Sequence, residues 1–409
     1  MKVGWSVILA GSVLLLAQGR YAETKDKKFD KMIQVIQNFS LNLFQEMVLW
    51  RYEKRQYVNE VVSPFSLWTA LIMIYEGAGG ETLEQLRRVL GISVKEDDLK
   101  EFYDETRELR DTDSDEMEIH SWQQLYHNKQ YTIEPRYNDV VYFYDMGPNR
   151  KDFENFVGVI KDDIRFGTNF YIEPALQRHN IVEARMLLIS AIYFIGKWKY
   201  PFDRELTKVE PFYNEKSPYK QLAKVPMMVQ TNKFTYVDDI EGLDARVLEL
   251  PYGEEGTAVM LVMLPNRGVT LNSVLENLKE KGLRLVLDAV GNTSSKKDVE
   301  VKIPKFNTFS SYLLPKFLAE IGIRKSVSGT ANFTFMTEGP SDINMYLSHA
   351  FHYSRIIVDE SGAPDTKPSP PPANKTGVVE FHMNKPFFYL ILEKQMNLIL
   401  FAGTIRNRA

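Results

Sequence analysis

The chain has 409 residues, 44% of them hydrophobic and 25% charged, enough to bury a sizeable core in one large domain or two ordinary ones. Its 50 lysines and arginines are interleaved with 54 aspartates and glutamates, and the net charge of −4 gives no massed basic face for nucleic acid. With no cysteine there is no disulfide, thiolate nucleophile or cysteine metal site, so packing must hold the fold.

The chain begins "MKVGWSVILAGSVLLLAQGRYAETK". Lys2 supplies a positive start, Trp5 to Ala17 an apolar run, and Ala17-Gln18-Gly19 a small-x-small cleavage signature. Together they predict a signal peptide over residues 1–19 and a secreted, extracellular chain over 20–409 with no membrane attachment after cleavage. A membrane anchor needs roughly 20 apolar residues, and this run is shorter. Four Asn-x-Ser/Thr sequons, at Asn38, Asn292, Asn332 and Asn374, are candidate N-glycosylation sites that agree with export.

Further along, "SPFSLWTALIMIYEGAGG" places Leu67, Ala70, Leu71 and Ile74 on one face of a helix that starts after Pro64 and stops at the glycines. Leu83, Leu86 and Leu90 mark a second helix closed by Gly91. The acidic run 108–118 reads as a solvated face or loop. "MLLISAIYFIGKWKYPF" is apolar for too long to face solvent and predicts a strand buried on both faces in mid-sheet.

The second half is dominated by strands: "ARVLELPYGEEGTAVMLVMLP" and "FFYLILEKQMNLILFAGTI" each read as two apolar runs joined by a turn. Helical pattern returns in "LNSVLENLKEKGL" and "YLLPKFLAEIGI". Runs of helices followed by runs of strands predict an α+β fold without internal repeats. No composition shift divides the chain into domains.

Catalytic motifs are scarce. "SPYK" at 217–220 and "KTG" at 375–377 spell two of three penicillin-binding elements, but no Ser-Asp-Asn completes them. "GAGG" follows a helix instead of a strand and is no phosphate cradle. His349 and His352 in "HAFH" lack the further ligands a metal site needs, so neither metal nor cofactor is expected. An enzyme is not expected.

Seven blocks carry a family resemblance: "VVSPFSLWTALIMIYEGAGGETLEQLRRVLG", "LLISAIYFIGKWKYPFD", "VPMMVQTNKFTY", "RVLELPY", "IPKFNTFSSYLLPKFLAEIGI", "MYLSHAFHYSRIIVDESG" and "NKPFFYLILEKQMNLILFAGTI". In order and spacing they resemble the signature blocks of the serpins, the serine protease inhibitor superfamily. The resemblance implies one domain with three β-sheets, about nine helices and an exposed reactive-centre loop, here about residues 359–382. In inhibitory members a serine protease cuts the loop, whose N-terminal side then inserts into the main sheet and distorts the trapped protease.

By the same resemblance, Glu360, Ser361, Gly362 and Ala363 form the loop's hinge, and Lys375-Thr376 is the candidate scissile bond, suited to a trypsin-like protease. Ser66 and His352 match the family's shutter pair beneath the parting sheet, whereas Ser190 stands where the family favours asparagine. The segment near Phe156 lacks the family's usual tryptophan.

Past Ala363 the match fails. Pro364, Pro368, Pro370, Pro371 and Pro372 occupy the half of the loop that would have to become a central strand. Proline has no N–H to donate to a ladder and is confined to sheet edges and bulges. Each would leave a buried carbonyl unpaired at about 1–3 kcal/mol, on the order of 5–15 kcal/mol for five, comparable to the stability of a domain. Asp365 and Lys367 add charges to a strand with a buried face. The segment therefore reads as an extended polyproline-type surface loop, glycosylated at Asn374 beside the scissile bond. A non-inhibitory binding, carrier or decoy protein is expected, with inhibition of a trypsin-like protease as the alternative and a monomer as the assembly.

Overall fold

The computed structural model describes residues 4–54, 56–144, 148–153, 155–215, 220–293, 295–337, 344–362, 367–368 and 376–407. Among them are nine α-helices: α1 (Gly4–Glu53), α2 (Pro64–Glu76), α3 (Gly80–Leu90), α4 (Glu96–Glu105), α5 (Pro135–Phe143), α6 (Val157–Gly167), α7 (Leu271–Lys281), α8 (Leu283–Gly291) and α9 (Pro315–Glu320). The first strands are β1 (Glu60–Val62), β2 (Asp111–Asp113), β3 (Met117–Asn128), β4 (Pro148–Lys151), β5 (Met186–Gly196), β6 (Lys208–Tyr213), β7 (Gln221–Val237) and β8 (Ala245–Tyr252). The rest are β9 (Ala258–Pro265), β10 (Lys297–Pro304), β11 (Phe306–Leu313), β12 (Leu347–Val358), β13 (Val379–His382), β14 (Phe387–Glu393) and β15 (Leu398–Ile405).

The strands make an α+β fold with one central sheet, ordered β11-β12-β5-β3-β2 with β4 beside β3. The remaining strands run β1-β15-β14-β9-β8-β7-β10-β13, with β6 on β7. Here β7 serves two sheets: Met227 to Phe234 pair with β10, and Thr235 to Val237 pair with β8. The central sheet and the two that share β7 are the three-sheet arrangement implied by the resemblance.

Strand β5 behaves as its unbroken apolar run requires. Met186, Leu188, Ile192 and Phe194 enter the main core, while Leu187, Ile189, Ala191 and Tyr193 enter a second core under α6 with Ile160 and Ile164. Period 2 thus feeds two cores from one strand.

Helix α2 departs from the single buried face its spacing predicts. Every residue from Pro64 to Ile74 is buried, because the helix packs against α1, α3 and α5 on one side and against β15, β5 and β3 on the other. An element enclosed on all sides has no polar face to reveal its period. Gly77 ends it, and Gly91, at φ 71°, ends α3 in the left-handed conformation that glycine adopts without a Cβ penalty.

The acidic run 108–118 is more ordered than a loop. Asp111–Asp113 form β2, pairing with Glu118 to His120 at the edge of the central sheet. Charge on an edge strand discourages pairing with another chain. Among the described residues, no helix is long and apolar enough to cross a membrane.

Candidate functional site

The end of the seam between β12 and β5 carries Glu360 to Gly362, the residues that the resemblance assigns to the hinge. The two strands pair in parallel from Leu347↔Met186 to Ile357↔Ile195, and Gly362 makes a further parallel bridge to Trp198. Three donors hold the backbone between: Trp198 N to Ser361 O (2.8 Å), Trp198 Nε1 to Asp359 O (2.8 Å) and Phe202 N to Glu360 O (3.1 Å). The Trp198 indole is itself fixed by stacking on Tyr252, with centroids 4.3 Å apart.

Glu360 is only 6% exposed. Its carboxylate accepts from Thr207 Oγ1 at 2.9 Å and from Lys305 Nζ at 2.7 Å. Burial works to raise its pKa, but the bonds from Lys305, its own backbone and Thr207 prevail and hold it below the ordinary carboxylate range. A buried charge thereby acquires a partner at Lys305, the residue between β10 and β11.

Halfway down the same seam lies His352, which the resemblance pairs with Ser66 as the shutter. His352 and Ser190 face each other in register on β12 and β5. The N–H of Ser63 donates to His352 Nε2 (3.0 Å), which makes that nitrogen the acceptor and leaves the proton on Nδ1. Nδ1–H therefore donates to Ser190 Oγ (3.1 Å), and the Ser190 and Ser66 hydroxyls hydrogen-bond each other at 2.9 Å. Ser66 Oγ continues to Ser121 Oγ at 3.1 Å, and Gln123 Nε2 donates to Ser66 O at 2.8 Å. Burial pushes the His352 pKa down to about 3, with a hydrogen bond to the Ser190 backbone opposing it, so the imidazole is neutral. Ser190, where the family favours asparagine, bridges Ser66 and His352 directly.

Thus Glu360, Ser361 and Gly362 lie together at the end of the β5–β12 seam, and Ser66 and His352 lie in one hydrogen-bonded chain through Ser190. Ala363, Pro364, Pro370, Pro371, Pro372, Asn374 and Lys375 lie outside the described residues. Pro368 is exposed. Thr376 is exposed in a turn with Gly377, at φ 81°, before β13 joins β10 in parallel. The loop thus leaves the central sheet and returns to a different one.

Sequence reasoning missed Trp198, Thr207 and Lys305. "GKWKYPF" read as more strand, although β5 stops at Gly196; Lys305 sits between the lysine-bearing end of β10 and β11, and nothing local marks Thr207.

The sequons are placed unequally. Asn38 is exposed on α1, but Ser40 of the same sequon is buried and donates to Ile36 O at 2.7 Å. Asn292 is exposed at the C-terminus of α8. Asn332 is half-buried, its Oδ1 accepting from Thr334 N at 3.1 Å. Among the described residues, no cluster of three His, Cys, Asp or Glu could hold a metal ion, and His349 instead contacts Ser348 Oγ at 3.0 Å.

The model of the family described as Serpin (serine protease inhibitor) matches residues 34–408, so the chain belongs to the serpin family. Intracellular coagulation inhibitor 2 of Tachypleus tridentatus is 27% identical, the match covering 95% of this chain and 93% of that protein. Antithrombin-III of Mus musculus is 28% identical, over 96% and 84% of the two chains. The crystal structure of Manduca sexta serpin-12 superposes with a TM-score of 0.76 at 21% identity, covering 92% of this chain and 99% of that one, which establishes the shared fold.

Proposed function

We propose that the protein is a secreted, non-inhibitory serpin that works as a binding, carrier or protease-decoy module. One observation carries the reading: the hinge is docked at Gly362, so an inserting loop must double back from there between β5 and β12. Descending from Gly362 to the level of His352 takes about ten residues at ~3.3 Å each. Those residues, 363–372, include all five loop prolines. A new central strand needs ladder hydrogen bonds on both sides, and this segment lacks the donors before it even reaches the shutter.

A second reading, inhibition of a trypsin-like serine protease cut near Lys375-Thr376, is favoured by the hydrogen-bonded shutter and hinge. The name of the Tachypleus tridentatus relative, a coagulation inhibitor, points the same way.

The two part on a gel. Incubation with trypsin is expected to give cleavage within residues 364–380 and no SDS-stable complex. A stable covalent complex overturns the non-inhibitory reading.

A further inference from the structure

One hydroxyl within the acidic run faces solvent. Between Arg110 and Lys129 the chain carries no lysine or arginine, and five of the eight residues from Asp111 to Glu118 are carboxylates. Ser114 lies in their midst. It is the only serine of the chain with an acidic residue on both sides, Asp113 before it and Asp115 after, and Glu116 follows.

The fold puts this serine where another protein can reach it. It opens the turn between β2 and β3 at the edge of the central sheet, closed by Ser114 N to Met117 O at 3.0 Å. Asp113, Ser114 and Asp115 are all exposed. Ser114 Oγ bonds within its own turn, donating to Met117 O at 3.1 Å and accepting from the N–H groups of Glu116 (3.3 Å) and Met117 (3.1 Å). Thr112 has the same acidic neighbours, yet it is half-buried in β2 and its hydroxyl donates to Glu108 O.

Strand β2 can also yield. It pairs with β3 through Asp111↔His120, Thr112↔Ile119 and Asp113↔Glu118. The last pair sets two carboxylates opposite each other beside the turn, and like charges directly opposite destabilise a strand pair. At the far end Asp111 Oδ1 lies 2.6 Å from His120 Nδ1. The turn end is therefore the weak end, and opening it extends the segment around Ser114 without breaking the pairing of β3 with β5. On the β3 side Glu116 stays tied, its Oε1 accepting from Glu254 N at 3.0 Å.

We propose that Ser114 is a phosphorylation site for a protein kinase that reads carboxylates directly after its target serine. Kinases select substrates by charge pattern, and a basic substrate groove complements Asp115 and Glu116. In the transfer Ser114 Oγ attacks the γ-phosphorus of a nucleoside triphosphate, the bond from that phosphorus to the β,γ-bridging oxygen breaks, the nucleoside diphosphate leaves, and the hydroxyl proton passes to a base of the kinase. The product adds about −1.5 to −2 charges beside Asp113, Asp115, Glu116 and Glu118, and its ester oxygen no longer donates to Met117 O. Repulsion then loosens β2 from β3.

The test uses the full chain, first treated with phosphatase and then given ATP with one of two kinases. Golgi casein kinase reads acids after the serine; cAMP-dependent protein kinase reads bases before it. Phosphopeptide mapping by mass spectrometry should find phosphate on Ser114 with the first and about tenfold less or none with the second. S114A should abolish it, and D115N and E116Q should each slow it about tenfold or more. The glutamine keeps an acceptor for Glu254 N, and Asp115 is exposed, so unchanged melting temperatures are expected. After phosphorylation the β2 amides should exchange with deuterium about threefold or more faster. The proposal fails if the first kinase leaves Ser114 unmodified or takes Thr112 instead, if D115N and E116Q react at the wild-type rate, or if phosphate on Ser114 leaves the exchange of β2 unchanged.

Discussion

Ser190 Oγ lies 3.1 Å from His352 Nδ1 across the seam that joins β5 to β12. Because Nε2 accepts from Ser63, Ser190 is the acceptor for the imidazole proton. S190A therefore removes the hydroxyl that links this fully buried N–H to Ser66. A loss of about 1–3 kcal/mol in unfolding free energy by urea denaturation is expected. A loss below about 0.5 kcal/mol, the level of an inconsequential surface change, would show that the bond carries little.

The pH dependence of stability has two opposed parts. His352 titrates at about 3 in the folded protein instead of 6.5, so the unfolded chain binds more protons between these values and acidification destabilises, by up to about 1.4 kcal/mol per pH unit. Glu60 does the reverse. Burial, only partly opposed by the Tyr312 hydroxyl and Arg51, raises its pKa from 4.5 to about 7, so its stabilising effect is present below 4.5 and lost as pH rises to 7. Between pH 4.5 and 6.5 the two slopes offset each other. E60Q should reveal a steeper loss of melting temperature on acidification, and H352Q a gain; parallel profiles for the wild type and both variants would contradict this assignment.

At the hinge, the lowered pKa of Glu360 means that its clamp holds above the ordinary carboxylate range and loosens as pH falls below it. E360A removes the acceptor of both Lys305 and Thr207. Lys305 is 43% exposed, so solvent screens the pair and its ionic part contributes about 1 kcal/mol or less. The expected signature is faster limited proteolysis of the loop by trypsin, with a small change in melting temperature. A double-mutant cycle with K305A should show coupling, whereas strict additivity would place the clamp elsewhere.

Gly403 in β15 has no room for a side chain. A Cβ there would come within 2.3 Å of the Tyr389 ring and 2.7 Å of the Glu60 backbone oxygen. The tyrosine is buried and the oxygen belongs to the paired strand β1, so neither yields easily. G403A should cost about 1–3 kcal/mol or more, seen as a lowered melting temperature or loss of soluble protein.

If the prolines block insertion, replacing them should restore it. With alanine at positions 364, 368, 370, 371 and 372, trypsin cleavage of the loop should raise the melting temperature well above that of the intact variant. In the wild type, cleavage should leave it nearly unchanged. A large rise in the wild type would mean that the loop inserts in spite of its prolines.

The buried strands and the helix ends were legible in the sequence because they rest on local rules. The run at β5 is too long and too apolar for one wet face, and Gly91 closes α3 by its own conformational freedom. That Glu360 to Gly362 adjoin the β5–β12 seam, and Ser66 and His352 one polar chain, was legible through ordered family blocks, which record where separate segments meet. Local pattern misjudged α2, whose enclosure by three helices and three strands no one segment encodes, and the edge strand β2, which β3 organises.

By itself the sequence determined the fold class, the family, and the proline content of the loop, since a proline lacks its N–H in any conformation. Tertiary structure alone decided which partners the functional residues meet. Trp198, Thr207 and Lys305 reach the hinge from three different stretches of chain, and Ser190 becomes the bridge of the shutter because β5 and β12, far apart in sequence, pair in one register. Hydrogen bonds and charges act over a few ångströms of space, and only the folded chain fixes those distances.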